Sequence, residues 1–541
     1  MSEAPVVAPP SGQSGSARMS RRHLLIAITG CFATLLLGLL DQNIVSAVSW
    51  TVVKDLDPVH GVAHLPWLLT AYTLADCIVL PLYGKLADVY GAKRVYLWSL
   101  GIFLVGSALC GLAQNIAELI AFRALQGVGG GGLMSVTMVV LGLLVRPAEG
   151  DQPEDQGKAG MGGIMVGLGI VLGPGVGGLV ATHLNWRWVF YINLPLGIAA
   201  FVTSLMLVKL PVTPIKRRID FVGAGLIAAT ASVLLMVSQW GGKEYPWGSP
   251  TIEGLGAAGL VLLALFIWRQ MTADEPIVTL SLLRNPAIRI MMPLGFFGGI
   301  GLAGSVAYMA GYLQEARGMT PTKAGLMLFP MAVGMIIVGL LSGKAMARMA
   351  GRQRYQLFAG HVLIALAMLI FSGLGTDTSF WELSAGLFLL GIGLGLCLGI
   401  GLMITQSVVD AHDLGVATTS QRFVQQLGAS AGLAMFGTLL NRELAARLNS
   451  SAGAADAHGQ LNTAAMATLT PEQRHAALEA IVSSTHMVFL VAACVMAVPA
   501  VLSLFLKERR PAAAVPPQPA GTATASRDAL MQATNATEGR N

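Results

Sequence analysis

Charge is what this chain has least of: Asp, Glu, Lys and Arg make up 11% of its 541 residues, against 54% hydrophobic residues and a mean hydropathy of +0.67. A soluble domain carries roughly 25% charged residues. The composition therefore excludes a water-soluble protein and requires one whose surface faces lipid. Cysteine is also scarce. Cys31, Cys77, Cys110, Cys397 and Cys494 all fall in apolar runs, with no C-x-x-C pair and no nearby ligand histidines. That pattern argues against a disulfide framework and a metal site and leaves the thiols as small core residues. The net charge of +6 is spread through short loops with no basic patch, so no nucleic-acid partner is expected, and no cofactor is implied.

What the chain has in abundance is apolar runs long enough to span a bilayer, which takes about 20 residues. They lie near 24–48, 66–83, 95–113, 117–144, 159–183, 189–208, 221–240, 254–271, 287–310, 324–346, 356–375, 382–408, 416–440 and 483–506. The fold class read from them is all-α and polytopic, with 14 transmembrane helices. An even number puts both ends on one side. That side carries 23 Lys/Arg, with Arg422 counted among them, against 8 opposite, which makes it cytoplasmic by the positive-inside rule. The segment 1–23 reads as a disordered lead without a signal-peptide cleavage pattern, 507–541 as a disordered tail, and Pro471-Glu472-Gln473-Arg474 as the opening of a short surface helix.

Within this frame, polar residues and glycines stand out. The stretch Gly84-Lys85-Leu86-Ala87-Asp88-Val89-Tyr90-Gly91-Ala92-Lys93-Arg94 reads as a cytoplasmic hairpin with glycines for the turn. Its acid, Asp88, follows a helix end where the macrodipole is negative, so it needs another helix's N-terminus or an arginine. A weaker echo, 343–354, recurs without the acid. The spacing suggests six spans (24–208), two inserted spans (209–286) and six more (287–506), arranged as parallel repeats. Arg123 sits alone in an apolar helix and should face a cavity or an acid. The glycine run 127–132 that follows it has neither a preceding strand nor a Walker pattern, and reads as packing. Gly169, Gly173 and Gly177 share a face beside Pro174 and Gly178, a surface for close helix contact with a bend. Residues 185–197, Asn185-Trp186-Arg187-Trp188 through Asn193-Leu194-Pro195-Leu196-Gly197, form an aromatic interfacial turn that re-enters the membrane.

Together these motifs resemble the major facilitator superfamily, and within it the 14-span drug:proton antiporters of the quaternary-ammonium and multidrug efflux group. The resemblance runs from about 24 to 506 and includes Leu40-Asp41-Gln42-Asn43-Ile44-Val45 in the first span, Tyr312-Leu313-Gln314, Ala324-Gly325-Leu326 and Phe329-Pro330. It departs from the family at Ala92, where arginine is common, at Asp76, where a small residue is common, and at Val48-Ser49-Trp50 in place of Ala-Leu-Pro. The resemblance implies two six-helix halves rocking about a midplane cavity and a cell-membrane protein, monomeric, with protons and a small-molecule substrate as partners.

On that reading Asp41, approached along its helix by the small stripe Gly30, Thr34 and Gly38, is the candidate proton carrier; the plainer alternative makes it a structural partner of Arg123. Asp76 shares a helical face with Tyr72, Val79 and Tyr83, as a proton site, a cation site or a packing acid. Phe297, Tyr308, Met331, Gln421 and Gln425 are candidate substrate contacts, with plain packing as the alternative for each. Export of hydrophobic, cationic compounds is the function implied. A dedicated exporter of one endogenous product, a proton-linked uptake symporter and a non-transporting scaffold are the other readings. The topology has a direct check: single cysteines in 84–94 and in 441–483, in a cysteine-free background, are expected to react with an impermeant maleimide from opposite faces of the membrane.

Overall fold

The structure, a computed structural model, describes residues 21–57, 61–145, 185–208, 220–241, 245–273, 276, 280–348, 352–375, 377–410, 413–448 and 471–506. Their long elements are helices: α1 (Arg21–Leu56), α2 (Gly61–Tyr90), α3 (Ala92–Leu112), α4 (Ile116–Val145), α5 (Trp188–Tyr191), α6 (Asn193–Leu207), α7 (Phe221–Trp240) and α8 (Pro250–Thr272), followed by α9 (Pro286–Gly311), α10 (Pro321–Met327), α11 (Phe329–Arg348), α12 (Gln353–Phe371), α13 (Phe380–Ser407), α14 (Leu414–Leu448) and α15 (Pro471–Ser503). Eleven stretches among the described residues are long and apolar enough to cross a membrane. Their starts follow local chemistry. Ser249, Asn285 and Thr320 each precede a proline at the first helical position and accept a backbone N–H with the side chain, satisfying donors the helix cannot.

Several boundaries differ from the sequence reading. The 84–94 stretch is mostly not a loop: α2 continues to Tyr90, and Gly91 alone, at φ 91°, breaks it before α3 starts at Ala92. Gly84 is therefore a close-approach glycine, whereas Gly91 makes the turn. Pro471 opens the last long helix itself, not a separate surface helix. Arg422, counted on the cytoplasmic side, lies within α14, as the 416–440 run places it. The 159–183 span, with Gly169, Gly173, Pro174, Gly177 and Gly178, lies outside the described residues.

Two groups of helices hold separate cores. In the first, α2 and α3 pack on α4, and α1 on α6. The glycine run makes this possible: Cβ atoms at Gly127 and Gly131 would strike the α2 backbone at Tyr72 and Asp76, and one at Gly129 would strike Phe103 of α3. In the second, α9 packs on α14, α11 and α12 on α13, and α12 on α15, around Met335, Leu387, Leu390 and Phe489. The groups meet at the end of α2. Tyr83 and Ala87 share an apolar cluster with Leu414, Val416 and Ala417, and Gln406 of α13 donates to Met138 O of α4 at 3.2 Å.

The α7–α8 hairpin lies across this seam. Asp220 at its start takes a bidentate fork from Arg269, with contacts of 2.9–3.1 Å. Ile227, Ala231, Leu235 and Phe266 pack in one cluster with Cys77 and Leu80 of α2 and Phe423 of α14. Further along, Trp240 meets Trp67 of α2 edge-on at 5.7 Å, Ser238 Oγ donates to Ser430 O at 2.6 Å, and Trp247 Nε1 donates to Thr438 Oγ1 at 2.7 Å.

The seam depends on a missing side chain. A Cβ at Gly84 would overlap Thr419 Oγ1 and lie 3.1 Å from both Gly415 O and Val416 Cα. Gly84→Val is therefore expected to force this end open, raising the labelling rate of a single cysteine at Ala417 severalfold, while far-UV circular dichroism stays unchanged.

Candidate functional site

Asp41 is fully buried in α1, at the end of the small stripe the sequence singles out. Gly30 faces Thr203 of α6 and Gly38 faces Met134 of α4, so the stripe draws α1 against its neighbours. Around the carboxylate lies a polar shell from three other helices. Arg123 Nη1 donates to Oδ2 at 2.7 Å, while Gln126 Nε2 and Asn193 Nδ2 donate to Oδ1 at 2.9 and 2.7 Å. The same Arg123 nitrogen reaches Gln126 Oε1 at 2.7 Å, and the guanidinium lies 4.2 Å over the Tyr72 ring. Ser107 completes the shell. Its hydroxyl proton goes to Phe190 O at 2.9 Å, so its lone pairs take the amides of Gln126 and Asn193 at 3.1 and 3.0 Å.

Burying a charge in a bilayer costs several kcal/mol unless it is paired and hydrogen-bonded, and here the pair is 2% and 0% exposed with its donors converging. The expectation that Arg123 faces an acid matches this geometry. Gln126, Asn193 and Ser107 were not picked out from the sequence. Gln126 stands three residues from Arg123, on the same helical face, and that spacing was a readable signal. Asn193 ends the aromatic turn whose role now has a geometry. Trp186 Nε1 donates to Asp55 Oδ2 at 2.8 Å and Arg187 Nη2 to Ala113 O at 2.9 Å, tying the ends of α1 and α3 to the start of α6.

Asp76, on α2, is 5% exposed and faces the field of Arg422 from α14. Arg422 also donates to Gln425 Oε1 at 3.3 Å. Gln421 Nε2 lies against Gly401, and its Oε1 is buried without a hydrogen-bond partner among the described residues. Asp76 thus lies in the field of Arg422 across α2 and α14, while the Gln421 side chain turns to Gly295 of α9 and Gly401 of α13. The remaining candidates are not gathered with them. Met331 is fully buried in the second core, with its backbone pressed on Gly391. Tyr308 spends its hydroxyl on Leu433 O at 2.8 Å and meets Phe436 edge-on, Phe297 pairs with Phe296, and Tyr72 lies under Arg123.

At the seam, Asp88 accepts the Gly415 and Val416 N–H groups at 2.9 and 3.0 Å, at the first turn of α14. This is the helix N-terminus its position required. Burial, with Asp413 nearby, pushes the carboxyl up to about 7, while those two donors and Lys85 pull it down. Lys93 donates to Leu205 O at 2.8 Å, in the last turn of α6, and Arg94 is exposed beside it.

Comparison with known proteins identifies the family. The family model for the Major Facilitator Superfamily matches residues 30–433. Multidrug transporter protein MdtP of Bacillus subtilis (strain 168) is 34% identical over 430 residues, covering 79% of this chain and 77% of the relative. Multidrug resistance protein 3 of the same organism is 29% identical over 497 residues, covering 89% and 95%. Among solved structures, the human organic anion transporter MFSD10 superposes with a TM-score of 0.59 at 15% identity, over 89% of this chain and 99% of that one. The proton:xylose symporter XylE does so with 0.58 at 14%, over 90% and 96%. At those identities the structures speak for the fold alone.

The Asp41–Arg123 pair carries its own test. Arg123→Leu strands a buried carboxylate and is expected to cost about 3–5 kcal/mol. Adding Asp41→Leu should recover most of that loss in denaturation of the purified protein followed by tryptophan fluorescence. Strictly additive losses would mean that the two groups do not depend on each other.

Proposed function

Because the chain belongs to the Major Facilitator Superfamily, we propose that it is a 14-span proton-coupled antiporter that exports hydrophobic, cationic small molecules across the cell membrane by alternating access. The names of its multidrug relatives support export of drug-like small molecules. Fourteen spans follow when α2, α11 and the 159–183 run join the eleven apolar stretches, and the Lys/Arg asymmetry puts both termini in the cytoplasm. The first group of helices with 159–183 makes one half, α9–α15 the other, and α7–α8 is the insertion. The α2–α14 seam is then the cytoplasmic end, and it is closed here.

The observation that carries the reading is the Asp41 shell. Among the described residues, every group hydrogen-bonded to the carboxylate does so through an N–H that donates: Arg123, Gln126 and Asn193. Oδ1 takes two of these donors and Oδ2 one, so a proton takes the remaining lone pair of Oδ2 and cancels the charge that holds Arg123, which weakens the shell. Since those donors come from α4 and α6, a proton loosens α1 from its neighbours, and its loss draws them together again. That exchange couples a titration to helix packing, as alternating access requires. Asp88 on the N-terminus of α14 then holds the cytoplasmic end shut until the halves rock.

A second acid widens what the gradient can drive. Exchanging one proton for a monovalent cation moves no net charge, so only the pH difference acts. One further proton, on Asp76, adds about 3.5 kcal/mol at about 150 mV, roughly several hundredfold in concentration. We assign that role, or the meeting of a cationic substrate, to Asp76, buried in the field of Arg422.

The test is flux of fluorescent neutral and cationic compounds in reconstituted vesicles, with pH gradient and membrane potential set independently by ionophores. Asp41→Asn is expected to abolish pH-driven efflux of every compound while some binding survives. Asp76→Asn is expected to spare neutral compounds and to impair cationic ones or their voltage dependence. Undiminished pH-driven efflux by Asp41→Asn removes the carrier assignment, and equal loss for both compound classes in Asp76→Asn reduces that acid to a structural group.

A further inference from the structure

One feature of the lipid-facing surface plays no part in the exchange just described. Leu97, Trp98, Gly101, Ile102 and Val105 of α3, with Leu125 of α4 and Phe201 of α6, line an outward-facing groove of about 470 Å³. Its walls are apolar, and Trp98, Val105 and Leu125 stand exposed at 49%, 56% and 37%. A Cβ at Gly101 would meet only Phe201 Cε2, at 3.9 Å, so the groove floor is open because a side chain is missing there.

The groove has a charged head. Residues 94, 98, 101 and 105 follow one stripe of α3 at helical spacing, so exposed Arg94 begins the stripe that becomes the groove. Trp98 packs against Tyr90 with ring centroids 5.7 Å apart, an aromatic pair of the kind found at headgroup level. Lys93 is turned aside to Leu205 O, across the α3–α6 junction. Arg94 therefore stands at the groove's mouth, within the first turn of a 21-residue helix whose N-terminus favours an anion. An apolar channel running along the membrane normal, headed by one cation and an aromatic pair, is complementary to an acyl chain bearing a negatively charged headgroup.

We propose that this groove is a binding site for an anionic phospholipid, its phosphate on Arg94 and one acyl chain lying along Leu97–Val105. The proposal needs the chain to span a bilayer but not to transport, so it stands or falls separately from the antiport reading. The full-length protein in nanodiscs tests it, with phosphatidylglycerol and phosphatidylcholine that carry a diazirine in the acyl chain, and with photo-crosslinks read by peptide mass spectrometry. Phosphatidylglycerol is expected to label the 97–105 peptide about fivefold more than phosphatidylcholine, the worth of one arginine near an anionic headgroup. Arg94→Gln should bring phosphatidylglycerol down to the phosphatidylcholine level, and Gly101→Leu, which fills the floor, should reduce both. Equal labelling by the two lipids in the unmodified protein, a phosphatidylglycerol excess that survives Arg94→Gln, or labelling indifferent to Gly101→Leu would overturn it, leaving only bulk annular lipid at this surface.

Discussion

Inside a bilayer no water is available to satisfy a polar group, and that constraint organises this molecule. Asp41 answers it with donors drawn from separate helices, which is why the aromatic turn, the Gln126 amide and the stripe of small residues on α1 converge on one carboxylate. Each of these features has a local cause, but their common purpose is to make a charge tolerable where it would otherwise be expelled. Remove one donor and the penalty falls on a group that cannot move to solvent.

The same constraint explains how the two groups of helices meet. Asp88 satisfies backbone donors at the start of α14, which the helix itself leaves unpaired, and Gly84 lets the two backbones come close enough for it to do so. One carboxylate, two N–H groups and one absent side chain thus join the two groups at a single point. The apolar packing around Ala87 and Ala417 is dispersed and has no such point.

Much of this was legible in the sequence because its signals are about solvent and period. Apolar runs gave the helices, a lone arginine announced a buried partner, and an acid after a helix end asked for another helix's N-terminus. What was not legible was anything set by tertiary distance. Gln126 and Asn193 are ordinary amides until the fold brings them to Asp41, 85 and 152 residues away along the chain. Arg422 stands within the 416–440 run, but that its charge acts on the buried Asp76 of α2 is set by packing. Met331 resembles a ligand-facing methionine only until α13 is seen to pack on its backbone. Hydropathy does not distinguish a wall that faces a cavity from one that faces another helix.

The α7–α8 hairpin has a mechanical consequence. It touches both groups with apolar surface, including Phe423 of α14, but makes side-chain hydrogen bonds to one of them. Toward α14 it makes directional hydrogen bonds, from Ser238 and Trp247, which fix distance and angle. Toward α2 it offers ring edges and aliphatic surface, at Trp240 and around Cys77 and Leu80, which tolerate sliding. If the groups rock as proposed, the apolar contacts to α2 slide at lower cost than the hydrogen bonds to α14 break, so the hairpin travels with the second group and serves as a bearing surface for the first.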